Sequence, residues 1–452
     1  MPSAFLYIGL MLFVICVWFL AVKRPVYEGV ILSFLVLVAA TGTWDKLFSF
    51  ILSGMNTNLL YSMVAFMAMS QMLTKTGILD SCISVILALL GRTHGGAGYV
   101  AVVSSAFMGA FSGSGPGNVM AIGTVTIPAM KRSGYSPELA ANIQASSSCL
   151  GNMIPPSSNI IVALGAYAAI YPDNKITTGS FWLIMWGISF YFIVQRILSV
   201  FVFCKKYKIQ PMASEDIPDL KETLKNGWKG LLLPIVILVP FLLDAWLNSG
   251  FITARLGATG AKYLSSSVLL FTAGIASAYG LVILEDKSHR SVRALAACFS
   301  EGVAGLAPTV ATTMFGYIIG ALFAELGFAE EMEAFILNMS LSKFGMCLVI
   351  SLVACFLGMV IPGSSITVMF GPLFITALAA AGVPPLLAAA MLPVICGAMG
   401  LITPPFALCV YAAMGIAGSD FGKTFKNDLW WVFLQLITQM LVLMGLLPVL
   451  GL

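Results

Sequence analysis

The sequence predicts an all-α polytopic membrane protein. It is read as an inverted-topology repeat with two re-entrant hairpins and two Pro-Pro-broken helices. Three observations predict this. Of 452 residues, 59% are hydrophobic and only 9% charged, against roughly 25% charged in soluble domains. Two long apolar segments, 97–131 and 344–381, are each interrupted by a Gly/Ser/Pro turn. Finally, the stretch GYSPELAANIQASSSCLGNMIPPSSNIIV in the first half matches GVPPLLAAAMLPVICGAMGLITPPFALCV in the second.

Taken in order, full spans are predicted near 4–22, 26–42, 58–74, 138–170, 181–204, 231–248, 264–284, 302–324, 386–417 and 429–449. Each run approaches the ~20 residues that cross a bilayer as helix. The first run has no basic flank and no small-residue cleavage site, and is read as a retained helix. Segments 97–131 and 344–381 are too long for one straight helix and suit hairpins that enter and leave by the same side. The implied division is 1–57, N-terminal scaffold helices; 58–204, first repeat; 205–229, cytoplasmic linker; 230–301, connecting scaffold helices; and 302–452, second repeat.

Charge sets orientation. With Lys23 and Arg24 inside, most other loop Lys and Arg residues also fall inside. Only Lys46, Lys175, Arg255, Lys262 and Lys343 fall outside, together with the acidic run ELGFAEEMEAF. Basic residues near span ends concentrate on the cytoplasmic side. This topology opens the first hairpin to the cytoplasm and the second outward.

The internal match supports the inversion. Gly134 aligns with Gly382, Pro137 with Pro385, and Ala140-Ala141 with Ala388-Ala389. After one residue of slippage, Pro155-Pro156 aligns with Pro404-Pro405, and upstream Gly113-Ser114 aligns with Gly363-Ser364. Each half runs span, amphipathic arm (77–91 or 330–342), hairpin, broken span, span. Inverted repeats of this kind are a usual build of secondary transporters.

Irregular backbone at membrane depth is tolerated only where protein buries it or water reaches it. Four such places are predicted to meet in one site: the turns Ser112–Asn118 and Pro362–Ser365, and the breaks Asn152–Ser158 and Gly400–Pro405. A Pro-Pro pair removes backbone donors and splits a helix. The freed carbonyls, with Ser and Thr hydroxyls, are hard oxygen ligands suited to a small cation. Helix amino termini after each turn favour an anion, and glycine admits close approach. The candidate substrate- and ion-binding residues are Ser112, Gly113, Ser114, Gly115, Asn118, Gly151, Asn152, Pro155, Pro156 and Ser157 in the first half. In the second half they are Gly363, Ser364, Ser365, Thr367, Gly400, Thr403, Pro404 and Pro405.

No Asp or Glu falls within these four elements, and both histidines, His94 and His289, lie in loops. A proton relay normally needs ionisable groups inside the membrane, so Na⁺ is the expected coupling ion. One Na⁺ is assigned to Ser114 with Asn152 and a second to Ser364 with Thr403. Asp244, Glu301, Glu325 and Arg196 are read as interfacial or snorkelling. The formal charge of +4 is too small to suggest nucleic acid. No C-x-x-C pair, HExxH, Walker loop, GxSxG or paired carboxylate appears in the apolar segments. The chain is therefore read as no enzyme, and its nine cysteines as apolar fillers.

The motifs SGSGPGNVMAIGTVTIPAMKRSGYSPELAA, MIPPSS and GLITPPFALCVYAAMGIAG resemble the large membrane subunit of tripartite ATP-independent periplasmic (TRAP) transporters. The resemblance is strongest over 58–170 and 344–428. It implies an elevator-type, Na⁺-coupled carrier of small organic acids in the bacterial inner membrane. It also implies two partners, a small four-helix membrane subunit carried on a separate chain and an extracytoplasmic solute-binding protein. Where the family often has Thr-Pro-Thr-Glu-Ala, this chain reads GFITARLGATGAKYLSSS. The same architecture is shared by stand-alone gluconate or divalent-anion permeases. A channel or a membrane-embedded structural protein would also fit the half-helices.

Overall fold

The computed structural model describes residues 4–56, 58–75, 77–171, 176–248, 250–283, 291–327, 331, 334, 341–359, 363–403 and 407–452. Among them every regular element is helical. In chain order these are α1 (Ala4–Cys16, extended by a π turn to Ala21), α2 (Val26–Thr41), α3 (Leu47–Met55), α4 (Asn58–Lys75) and α5 (Ile78–Leu90). The first hairpin is α6 (Gly96–Ser112) and α7 (Gly115–Arg132). Next come α8 (Pro137–Ser148), a 3₁₀ turn (Cys149–Asn152), α9 (Ser158–Ile170) and α10 (Thr178–Tyr207). The middle of the chain forms α11 (Leu220–Leu231), α12 (Leu233–Asn248), α13 (Phe251–Ile283) and α14 (Val292–Glu325). The second half closes with α15 (Lys343–Gly358), α16 (Gly363–Ala380), α17 (Pro385–Ile395), α18 (Met399–Ile402), α19 (Leu408–Ala417) and α20 (Phe421–Leu443).

Local chemistry places the boundaries. Ser114, Ser136, Thr177, Ser342 and Asp420 each cap a helix start through a side-chain oxygen, satisfying amides that have no intrahelical partner. Gly134 and Gly382, the aligned glycines before each broken helix, both take left-handed φ values of 98° and 90°. Pro137 and Pro385, also aligned, both stand in the first turn of the next helix, where proline costs least.

The two halves share a pattern of neighbours. Helix α9, the second part of the first broken span, packs on α16 and α17; α19, its counterpart, packs on α7 and α8. Each half therefore lays the end of its broken helix on the other half's hairpin. Helices α10 and α20 flank this centre, with α10 against α6, α8, α9 and α12, and α20 against α8, α17 and α18. Helices α2, α3, α4, α13 and α14 form a further layer, which reaches the centre through α4 against α9 and α14 against α16.

Several elements differ from the sequence reading. Among the described residues, four helices are long and apolar enough to cross a membrane: Thr178–Tyr207, Ser214–Leu243, Gly363–Ala380 and Pro385–Ile402. Other predicted spans fall on apolar helices of 10–17 residues, such as Tyr27–Thr41 and Val310–Glu325. Caps, glycines and proline breaks shorten the regular part of each run. The predicted linker 205–229 is not all loop, because α11 occupies its end and lies against the arm helix α5, with Gly227 and Gly230 close to Ser81 and Cys82. Helix α3 had no predicted counterpart. Most of the second arm, 330–342, lies outside the described residues.

Arg196 corrects its reading as a snorkelling residue: it is 1% exposed. Its guanidinium donates to Gln195 Oε1 and, at 2.7 Å, to Gln435 Oε1. Facing α20 rather than lipid, it has no route by which to snorkel.

Candidate functional site

At the first turn, α6 ends as Gly113 turns left-handed at φ 59° and donates its N–H to Gly109 O. Ser114 then caps α7, its Oγ accepting from Gly117 N at 3.2 Å, and is itself solvent-exposed. Gly115 is buried against Leu401 and Cys409 of the second half. Ser112 Oγ accepts from Ser114 N at 3.4 Å.

Asn118 ties this hairpin down. Its Nδ2 donates to Ser105 O at 2.8 Å and Ser148 O at 3.3 Å, while its buried Oδ1 has no partner. Gln144 adds a second tie: it accepts from Thr126 Oγ1 and donates to Ser105 Oγ and Ser148 Oγ. These bonds tie α6, α7 and α8 to one another, with Asn118 Oδ1 left as their one unpaired oxygen.

The first break is joined to both halves. Asn152 Nδ2 donates to Gly397 O at 2.8 Å, and its Oδ1 accepts from Asn159 Nδ2 at 2.9 Å. Asn159 Nδ2 also reaches Gly113 O at 3.3 Å, so turn, break and opposite half meet through two amides. Ser157 Oγ accepts from Asn159 N at the start of α9. Ser157 and Ser158 both lie against Gly113.

The second half is built alike. Gly363 opens α16 directly against Cys396 O and Gly397. Thr367 Oγ1 donates to Gly363 O at 2.9 Å. Thr403 Oγ1 donates to Met399 O at 2.7 Å and lies 3.5 Å from Cys355 Sγ. Ser364 is half-buried and Ser365 buried in the first turn of α16. Pro404 and Pro405 lie outside the described residues.

Gly151 and Gly400 admit backbone. Gly151 sits against Gly109, and Gly400 against Gly358. Both pairs are related by the same offset as the aligned Pro-Pro pairs, so the crossing of hairpin and break is itself repeated. Pro155 and Pro156 face the other way. With Trp182 and Trp186 of α10 and Pro234, Ile237 and Leu238 of α12, they line an apolar cavity of about 170 Å³. That cavity offers a charged ligand nothing.

Contacts thus join Gly113, Asn152 and Ser157 in the first half, bring Asn152 and Gly363 to Gly397, and set Gly115 against Leu401 and Cys409; the bonds of Ser112, Ser114, Thr367 and Thr403 described above stay within their own half. Among the described residues the turns and breaks contain no charged side chain, and no cluster of His, Cys, Asp or Glu could hold a metal. What they offer is neutral oxygen from hydroxyls, amides and carbonyls, together with the amino termini of α7, α9, α16 and α19. Such a set can hold a hard monovalent cation beside an anion without burying a fixed charge.

The sequence reading missed Asn159, Gly397, Gly109 and Gly358. Asn159 directly follows the quoted SS of MIPPSS, and Gly109 and Gly358 recur at the offset of the repeat. It also missed Asp428, which is fully buried on α20 and accepts from Asn142 Nδ2 at 3.2 Å.

The sequence profile described as "Tripartite ATP-independent periplasmic transporter, DctM component" matches residues 8–450. The chain is 26% identical over 386 residues to the C4-dicarboxylate TRAP transporter large permease protein DctM of Pseudomonas aeruginosa, covering 83% of this chain and 82% of that one. It is 22% identical over 399 residues to the sialic acid TRAP transporter large permease protein SiaM of Vibrio cholerae, covering 87% and 85%. It is 25% identical over 433 residues to the isethionate TRAP transporter permease protein DctMQ of Oleidesulfovibrio alaskensis, covering 94% of this chain and 62% of that one. Among solved structures, the fold is similar to MtrF of Neisseria gonorrhoeae, with TM-score 0.65, 15% identity and coverage of 90% and 85%. It is also similar to the YdaH transporter of Alcanivorax borkumensis, with TM-score 0.63, 17% identity and coverage of 90% and 88%.

Proposed function

The chain belongs to the DctM component family of tripartite ATP-independent periplasmic transporters, and from that premise we propose that it is the large permease subunit for Na⁺-driven uptake of a small organic anion. The observation that carries this reading is the Asn152–Gly397 bond. It joins the two breaks at the centre of the fold, with a hairpin turn against each. The substrate is a carboxylate or a sulfonate. Relatives named for C4-dicarboxylate, sialic acid and isethionate span those two classes, and helix amino termini without a neighbouring acid suit either.

In this reading one Na⁺ is held near Ser114 and Asn152 and the other near Ser364 and Thr403. Asn118, Ser112 and Ser365 supply further oxygens, and the substrate lies between the ions. Ion binding orders the exposed turns and so completes the anion site, which makes each ligand raise the affinity of the other. The hairpins are re-entrant and open to opposite sides. They move with α8, α9, α17, α18 and α19 as an elevator against α10, α12, α20 and the outer layer. A small four-helix membrane subunit braces that outer layer, and an extracytoplasmic binding protein delivers the substrate. The assembly sits in the bacterial inner membrane.

The test is uptake into proteoliposomes against Na⁺ concentration, with a binding protein and a small membrane subunit present. Ser114→Ala and Ser364→Ala should each raise the Na⁺ concentration needed for half-maximal uptake several-fold. Equal uptake on a proton gradient without Na⁺, or unchanged Na⁺ dependence in both variants, defeats the proposal.

A further inference from the structure

Helix α20 presents one polar face inward. Thr424, Asp428, Trp431, Gln435 and Gln439 recur at helical spacing, and each is at most 1% exposed. Leu429, Trp430 and Phe433 on the other side are exposed, as lipid-facing positions are. The inward face packs on α8, α17 and α18, the first parts of both broken spans.

Asp428 meets Asn142 of α8 there. Asn142 Nδ2 donates to Asp428 Oδ1 at 3.2 Å. The two remaining oxygens of the pair, Asp428 Oδ2 and Asn142 Oδ1, are both buried and both lack a partner. Both are acceptors if the acid is ionised. One proton on Oδ2 turns that oxygen into a donor and leaves the pair chemically complementary: the amide gives N–H to the acid, and the acid gives O–H to the amide.

The surroundings supply no counterion. Among the described residues, the ion pairs are Arg24–Glu28, Lys46–Glu325 and Arg132–Asp216. From α19 and the 3₁₀ turn the facing titratable groups are the thiols Cys409 and Cys149, 3.7 Å apart. From α10 they are Arg196, bound to Gln435 two helical turns along α20, and the groups that follow Phe203, which packs on Trp430 and Trp431: Cys204 is buried against Tyr135 Oη, and Lys205, Lys206 and Tyr207 are exposed. Glu138 lies one turn before Asn142 on α8, α17 and α18 carry no charged side chain, and α15 carries Lys343 with the thiols Cys347 and Cys355. Lys423 and Lys426 of α20 are exposed. A buried carboxylate without a cation is far costlier than the neutral acid.

We propose that Asp428 and Asn142 form a proton-binding site that links the flanking helix α20 to the broken helix α8. The coupling half of this statement rests on the transport reading above. Movement of α8 along α20 separates the acid from its amide and lets water in, so the proton leaves. Return of α8 requires a proton to be taken up again. The cycle thereby acquires a proton-dependent step through a residue outside the turns and breaks.

Infrared spectroscopy of the purified chain at neutral pH tests the site directly. A carboxylic-acid C=O band is expected that shifts in D₂O and is lost in Asp428→Asn, which retains an amide able to pair with Asn142. Asp428→Glu covers failure of that variant to fold: the band should move to the glutamic-acid position. No band assignable to residue 428, or a band unmoved in both variants, overturns the proposal. In proteoliposomes, wild-type uptake should fall by up to about tenfold per pH unit on its alkaline limb, the slope of one proton. Asp428→Asn should be flat over the same range; a wild-type profile in that variant also overturns the coupling. If the band is present but no organic anion is taken up, the transport reading fails while the proton site stands.

Discussion

Alanine at Gly151 or Gly400 tests the repeated crossing of hairpin and break. A Cβ on residue 151 would lie 2.4 Å from Gly109 Cα and 2.6 Å from its carbonyl carbon. On residue 400 it would lie 2.3 Å from the Gly358 carbonyl carbon and 2.4 Å from its Cα. Ordinary contact begins near 3.4 Å, so each pair of segments must part by about 1 Å. The obstacle is backbone, which cannot rotate out of the way as a side chain can. Overpacking of this kind costs about 1–3 kcal/mol, while replacing a helical glycine returns at most about 1 kcal/mol. A net loss of about 1–1.5 kcal/mol is expected at each position. Gly415 of α19 has nothing within 4 Å of its virtual Cβ, so Gly415→Ala should be neutral or slightly stabilising. The assay is thermal denaturation of the purified protein, with uptake per folded molecule measured alongside. If Gly151→Ala and Gly400→Ala melt at or above Gly415→Ala, the segments are not pressed together and the argument from close approach is wrong.

Asn152→Leu keeps the volume but takes the donor from Gly397 O and the acceptor from Asn159. An orphaned buried group costs about 1–3 kcal/mol, so both the melting temperature and uptake per molecule should fall. Wild-type values for both would remove Asn152 from the centre of the fold. For orientation, Lys131→Cys should react with impermeant thiol reagents from the cytoplasmic side and Gly382→Cys from outside. Labelling of both from one side would sink the inverted topology.

Much of the central fold was legible because it rests on residues whose backbone chemistry is unusual. Gly134 and Gly382 announce left-handed turns, Pro137 and Pro385 announce helix starts, and the Pro-Pro pairs announce breaks. None of these depends on what packs nearby. The contacts that join the halves were less legible. Gly397 accepts from Asn152 across 245 residues of sequence, and a backbone carbonyl leaves no mark in a composition or a period. Gly109 and Gly358 could have been found, because they recur at the offset already fixed by Pro155 and Pro404.

The buried charges show a different limit. Arg196 and Asp428 both stand near the ends of apolar runs, where the general rule assigns charge to the interface. The rule treats depth as the only variable, but a helix also has faces. Thr424, Asp428, Gln435 and Gln439 all share one face with Trp431, while Leu429, Trp430 and Phe433 hold the other. Read as a moment rather than a mean, the stretch 421–443 declares a polar side turned towards protein. Once that side is recognised, an acid on it must have a neutralising partner. With Asn142 as its only hydrogen-bond partner among the described residues, the missing element is a proton. The expectation of Na⁺ rather than H⁺ as the coupling ion came from looking for acids in the turns and breaks. An acid on a helix that packs against a broken span can enter such a cycle just as directly.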